Sequence, residues 1–187
     1  GKHAQCALDK RVQIIAARRA GFNVPETINI ESIRDAERVR NFPVIMKPAL
    51  AVIEDNYQFI ENKKKFLYYC ANKRELNQAM KSWNMNYPLL AQNVHYGISE
   101  GLFGIGTGSS IVSLSAHQRI RMMNPKGSGS SACKAMPLID YPIKKTEDML
   151  VAMNWRGLFM IEFICDKDGK HWFIELNGRP WGSMALA

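Results

Sequence analysis

Five polar residues sit where an apolar pattern leaves little room for them. Glu162 lies inside LFMIEFIC (158–165), Lys47 inside PVIMKPAL (43–50), and Glu175, Asn177 and Arg179 punctuate WFIELNGRPWGS (172–183). A charge placed among buried side chains needs a partner, because desolvating it alone costs several kcal/mol or more. The two acidic segments flank Asp168-Gly169, which reads as a two-residue hairpin turn. With those two residues as the loop, Glu162 falls directly opposite Glu175. Opposed carboxylates on a ladder repel, and a cation between them relieves the repulsion. Carboxylate and amide oxygens suit Mg2+, which keeps waters and bridges phosphates. Asn177 follows Glu175 at period two and so projects from the same side. Arg179, two residues further on, can hold phosphate oxygens bidentately. The opposite face is then Trp172, Ile174 and Leu176. A solvent-facing hairpin with acids on its wet side also fits Glu-x-Asn alone, but Glu162 sits in a run that reads as buried on both faces.

Lys47 is a lone cation in an apolar strand, and either snorkels from an edge or meets an anion. Lys10, beside Asp9, reads on its own as a surface lysine. The strand in YPLLAQNVHYG (87–97) ends in polar residues, and free backbone groups at a strand end can read an adenine edge. Gln92 could add an amide there, and Glu100 could accept from ribose hydroxyls.

The elements that must position these groups alternate between helix and strand. Residues 7–20 have helical spacing, with Leu8, Val12, Ile15 and Ala16 on one face and Gly21 closing the helix. Ser32 with Asp35 approximates a capping box, and Asn72 caps a helix in KRELNQAMKSW. Strands are expected at 42–50, 65–71 and 87–97. Two more flank a Gly-Thr-Gly turn in 101–123, and two form the acidic hairpin. NPKGSGSSA reads as a loop, Thr146 as the cap of a helix running to Asn154, and 51–64 has no clear pattern. Hairpins interleaved with helices give an α+β class, with a boundary near 92–97.

The 187 residues suffice for one domain or two small lobes, and the 47% apolar and 22% charged fractions are ordinary for a globular chain. No apolar run approaches a membrane span or a signal peptide. Four unpaired cysteines, Cys6, Cys70, Cys133 and Cys165, read as reduced thiols of a cytoplasmic protein. The net charge of +8 suits anionic partners. The basic run NKKKF (62–66) is short and lacks interleaved aromatics, so a solvated loop or edge strand is favoured over a nucleic-acid patch.

In their order along the chain, these segments resemble the ATP-grasp superfamily. The order is Asp9-Lys10, AGFNVPET, FPVIMKPA, PLLAQNVHYG, AHQRIRMMNPKGSGS and GLFMIEF…DKDGKHWFIELNGRPWGS. The most specific part is E…E-x-N-x-R. The Trp-Gly-Ser ending is similar to the branch containing the carbamoyl-phosphate synthetase large chain and carboxylate–amine ligases. The resemblance implies two α+β lobes with ATP between them. Lys10 and Lys47 would lie on the phosphates, Gln92, Asn93 and Val94 would form the adenine hinge, and Glu100 would hold ribose. Glu162, Glu175 and Asn177 would carry one or two Mg2+. Arg179 and Arg119 would face the transferring phosphoryl group, with His117 nearby. It also implies a carboxylate activated as an acyl phosphate and captured by an amine, with no role for nucleic acid or membrane.

Two features depart from the family pattern. Residues 50–66, where relatives carry a glycine-rich lid, contain no glycine. The α/β domain that usually precedes this region, and the chain that usually follows NGRPWGS, are missing. The sequence therefore reads as a nucleotide-binding core of a longer enzyme, divided into 1–92 (helix and lid lobe) and 93–187 (the β lobe with the acidic site). A non-catalytic nucleotide-binding module and a phosphorylating subunit of the carbamoyl-phosphate synthetase kind remain alternatives. The GSGSS segment (127–131) reads as a turn or as a substrate contact.

Overall fold

The computed structural model describes residues 6–55, 58–61, 67–83, 85–122, 130–180 and 182–184, with the side chains of 53–55 and 58–61 outside the description. The NKKKF run, residues 56–57 of the expected lid and residues 127–129 of the GSGSS segment lie outside the described residues. The chain divides into two compact units, one of residues 8–11 and 25–94 and one of 1–7, 12–24 and 95–187.

The first unit holds β1 (Thr27–Ile30), a 3-10 helix (Ile33–Arg38), β2 (Val44–Pro48), β3 (Val52–Asp55), β4 (Gln58–Glu61), β5 (Tyr68–Cys70), the helix Lys73–Met80 and β6 (Leu89–Asn93). Its four-stranded sheet runs β1-β6-β2-β5, antiparallel throughout. β3 and β4 form the separate hairpin that the sequence left unread. Ile30, Val44, Met46, Leu76, Leu89 and Trp83 make the core. The expected caps are present: Asn72 Oδ1 accepts from the Glu75 amide at 3.1 Å, and the Ser32 amide donates to Asp35 Oδ2 at 2.9 Å.

The second unit holds most of α1 (Lys10–Arg19), then β7 (Ile98–Thr107), β8 (Ile111–Met122), β9 (Ser130–Met136), the helix Ile143–Ala152, β10 (Arg156–Cys165) and β11 (His171–Asn177). The two helices after α1 are α2 (Lys73–Met80) and α3 (Ile143–Ala152). The sheet order is β11-β10-β7-β8-β9, all antiparallel. Ala17 of α1 and Met149 and Leu150 of α3 pack with Leu102, Phe159, Ile161, Phe163 and Phe173 from one face of the sheet.

Several expectations shift. β9 begins inside the segment read as a loop, taking in its residues 130–132. Thr146 does not cap α3 but lies within it, fully buried, its hydroxyl donating to the Pro142 carbonyl at 3.0 Å. The apolar stripe expected to be buried on the first helix is the wetter one: Leu8, Val12 and Ile15 are 41%, 39% and 50% exposed. Gln13, Ile14 and Ala17 are buried instead. Periodicity marks two adjacent stripes here, and the polar one wins because the Gln13 amide finds main-chain partners in the sheet.

Candidate functional site

The acidic hairpin is built as the sequence requires at its polar end and differently at its turn. Glu162 pairs with Glu175, Ile161 with Leu176 and Met160 with Asn177. Nearer the turn, Cys165 pairs with His171 and the Asp166 amide donates to the Lys170 carbonyl, so the loop has three residues, with Gly169 at φ 74°. This is a three-residue hairpin loop with its left-handed position filled by glycine, not the two-residue turn expected. A bulge between Glu162 and Phe163 then absorbs Ile174 and restores the register. The apolar face is therefore Phe173 and Leu176, 0% and 2% exposed, with Trp172 and Ile174 only partly buried.

Glu162, Glu175 and Asn177 converge on the other face. Asn177 Nδ2 donates to Glu162 Oε1 at 3.1 Å and to Glu175 Oε1 at 3.2 Å. Two acceptors within 3.2 Å of one nitrogen define a compact cradle for a small electropositive group. The β8 residues complete this face: Arg119 Nη2 lies 2.8 Å from Glu162 Oε2. His117 stands opposite Gly101, itself opposite Glu162. A Cβ on Gly101 would lie 2.6 Å from His117 Nε2, so only glycine leaves room for the ring. His117 is 1% exposed; its Nδ1 is 2.6 Å from Ser183 Oγ, while Nε2 is buried with no hydrogen-bond partner among the described residues. Burial, then repulsion from Arg119, push the imidazole pKa down to about 4, so it is neutral at pH 7. Arg179 lies past the strand, exposed, with Nη1 3.3 Å from the Pro180 carbonyl.

A glutamine carries the position of this face back to the helix layer. Gln13, 2% exposed, donates from Nε2 to the Leu176 carbonyl at 3.0 Å and accepts from the Leu176 amide at 2.9 Å. β11 is an edge strand, and this pair of hydrogen bonds satisfies its outward main chain at the residue between Glu175 and Asn177. The sequence signal was a glutamine in an otherwise apolar helical turn, VQIIAA.

Glu100 does not join the acidic face. Its register places it across from Phe163 and Gln118, on the side of the sheet that packs against the helices. It is 6% exposed, with Oε2 3.0 Å from His171 Nε2 and Oε1 accepting from Gln118 Nε2 at 3.1 Å. Burial raises its pKa, but hydrogen bonds from His171, Gln118 and Tyr141 outweigh that and hold the carboxyl below its usual range. Glu100 therefore sits apart from Glu162 and Glu175, with both carboxylate oxygens engaged.

In the first unit, Lys47 Nζ donates to Gln92 Oε1 at 2.8 Å, and Gln92 Nε2 donates to Thr27 Oγ1 at 3.1 Å. Gln92 is 4% exposed. The lysine thus stands over a buried amide that orients it. The Lys10 amide donates to the Ala49 carbonyl at 2.9 Å, tying it to the end of β2. The expected adenine hinge differs from its reading. The Asn93 amide donates to the Glu26 carbonyl at 2.9 Å and the Val94 amide to the Pro43 carbonyl at 3.0 Å. β6 is flanked on both sides, so these two N–H groups are not the free donors expected.

No protein family model matches the sequence, and no curated protein does. Solved structures do. Biotin carboxylase from Campylobacter jejuni, in a β-γ-ATP complex, is similar at a TM-score of 0.74 with 15% identity, over 99% of this chain and 43% of that one. The VanG D-Ala:D-Ser ligase from Enterococcus faecalis is similar at 0.73 with 12% identity, over 96% and 55%. A RiPP-associated ATP-grasp ligase from Chryseobacterium gregarium, solved with ADP and leader and core peptide, is similar at 0.65 with 15% identity, over 90% and 51%. This chain spans about half the length of these structures.

Proposed function

With the ATP-grasp fold as premise, we propose that this chain is the ATP- and Mg2+-binding core of a ligase that activates a carboxylate as an acyl phosphate for capture by an amine. The observation that carries this reading is the convergence of Glu162, Glu175 and Asn177 on one face, with Arg119 against Glu162. The donors are hard oxygens, which fits Mg2+. Glu162 and Glu175 would hold the ion, and rotation of the Asn177 amide would present its Oδ1. Mg2+, when bound, supplies neutralisation of phosphate charge.

The chain's own residues account for the rest. Phosphoryl transfer needs placement and charge stabilisation more than covalent help, and no residue need act as a nucleophile. Arg119 is a permanent cation that can shift its fork from Glu162 to phosphate oxygens. Lys47, pre-oriented by Gln92, supplies a point charge for phosphate, and Lys10 a second. Arg179, exposed beyond the strand, can reach the acyl phosphate. Neutral His117 adds an uncharged donor or acceptor beside Arg119.

Calorimetric titration with ATP, with and without Mg2+, tests the reading. Wild type binds ATP in a Mg2+-dependent way, and Glu175→Gln loses about tenfold or more of that affinity. Absence of Mg2+-dependent binding in the wild type overturns the reading. The absence of glycine from residues 50–66 favours a second reading, a module that binds nucleotide without turnover. Acid- and amine-dependent ADP release by the full-length protein excludes it.

A further inference from the structure

The other face of the same sheet carries a cluster that the nucleotide reading does not use. Glu100 of β7, Cys165 of β10 and His171 of β11 each present one ligand atom, and these atoms all lie within 4.8 Å of one another. The registers Cys165 with His171 and Phe163 with Glu100 place the three side chains on one side. That side is opposite the one bearing Glu162, since neighbouring strand residues face opposite ways.

We propose that Glu100, Cys165 and His171 form a binding site for a borderline divalent cation of the Zn2+ class. A thiolate, an imidazole and a carboxylate are the donor types Zn2+ takes, three protein ligands with a fourth position left over. Mg2+ and Ca2+ are disfavoured by the sulfur and nitrogen donors. The surroundings orient each ligand. Gln118 holds Glu100 Oε1 at 3.1 Å, which leaves Oε2 directed at His171 Nε2, 3.0 Å away. That separation is near the roughly 3.3 Å edge of a tetrahedral site with metal–ligand distances of about 2 Å. The His171 ring is fixed by Phe163 edge-on at 5.5 Å and by Tyr141 at 5.2 Å. Cys165 Sγ makes a long hydrogen bond, 3.8 Å, to the Asp166 carbonyl, a weak contact that rotation about its Cα–Cβ bond can exchange for the metal. Metal binding takes the sulfur as thiolate and releases the thiol proton. The ion would tie the turn end of the β10–β11 hairpin to β7.

Co2+ is the probe, because a thiolate ligand gives it a near-ultraviolet charge-transfer band and tetrahedral coordination gives it strong visible bands. Chelator-treated protein titrated with Co2+ develops both, and Zn2+ then displaces Co2+ and bleaches them. Cys165→Ser removes the charge-transfer band, His171→Gln weakens binding about tenfold or more, and Cys133→Ser changes neither. Circular dichroism establishes that each variant is folded. A wild type with no thiolate band, or a band that survives Cys165→Ser, overturns the proposal. So does a protein whose melting temperature responds to Glu100→Gln while it takes up no Co2+, since the His171–Glu100 contact would then be a hydrogen-bonded pair only. Mg2+-dependent ATP binding is measured separately, so failure here leaves the nucleotide reading standing.

Discussion

Arg119 Nη2 and Glu162 Oε2 lie 2.8 Å apart, with their side chains only 12% and 19% exposed. The pair balances charge on a strand that is otherwise apolar, and it gives the carboxylate inside LFMIEFIC a counter-ion. Its energy is set mostly by what is left when one partner goes, because the survivor keeps its desolvation cost without its counter-ion.

Arg119→Met is therefore expected to lower unfolding stability by about 2–3 kcal/mol. Adding Glu162→Gln should recover part of the loss, a coupling of about 1 kcal/mol or more in a double-mutant cycle by urea denaturation. Additive losses would show that the two side chains do not act as a pair.

Gln13 satisfies both main-chain groups of Leu176 from a nearly fully buried position. Gln13→Leu keeps the bulk and strands those groups, so a loss of about 2–4 kcal/mol is expected from two unmade buried bonds. Faster amide exchange at Leu176 is the local check.

Gly101→Ala places a methyl 2.6 Å from His117 Nε2. The expected cost is about 1–3 kcal/mol from overpacking. In a His117→Ala background the same substitution should cost less than about 1 kcal/mol, because the clashing ring is gone. Thermal melts of the four proteins read this directly.

His117 titrates near pH 4 in the fold against an ordinary value of 6.5. Between these values the unfolded chain binds a proton that the native state does not, so stability falls as pH drops from 6.5 towards 4. Its size is up to about 3 kcal/mol. His95, lowered by burial, acts in the same direction. His117→Gln should flatten the profile in this window relative to wild type, leaving the His95 contribution; an unchanged slope in urea melts at pH 4.5 and 6.5 would remove His117 as a cause.

Much of this molecule was legible in its residues. Lone charges in apolar runs picked out Glu162 and Lys47, and hairpin logic set Glu162 against Glu175, with Asn177 on the same side. Short-range rules suffice for such statements because strand period and turn chemistry are local. The pairing nonetheless came out through two deviations that cancel. The three-residue loop slips the register by one, and the bulge at Ile174 slips it back; turn residues announce neither. Only the tertiary structure decided the rest. Which stripe of α1 is buried depends on Gln13 meeting Leu176, 163 residues away. Whether the Asn93 and Val94 amides are free depends on which segments flank β6. Glu100 belongs with His171 rather than with the acids because β7 lies against β10 in one particular register. Each of these is settled by long-range neighbours, and periodicity reports the alternation of faces along a segment but not what comes to cover them.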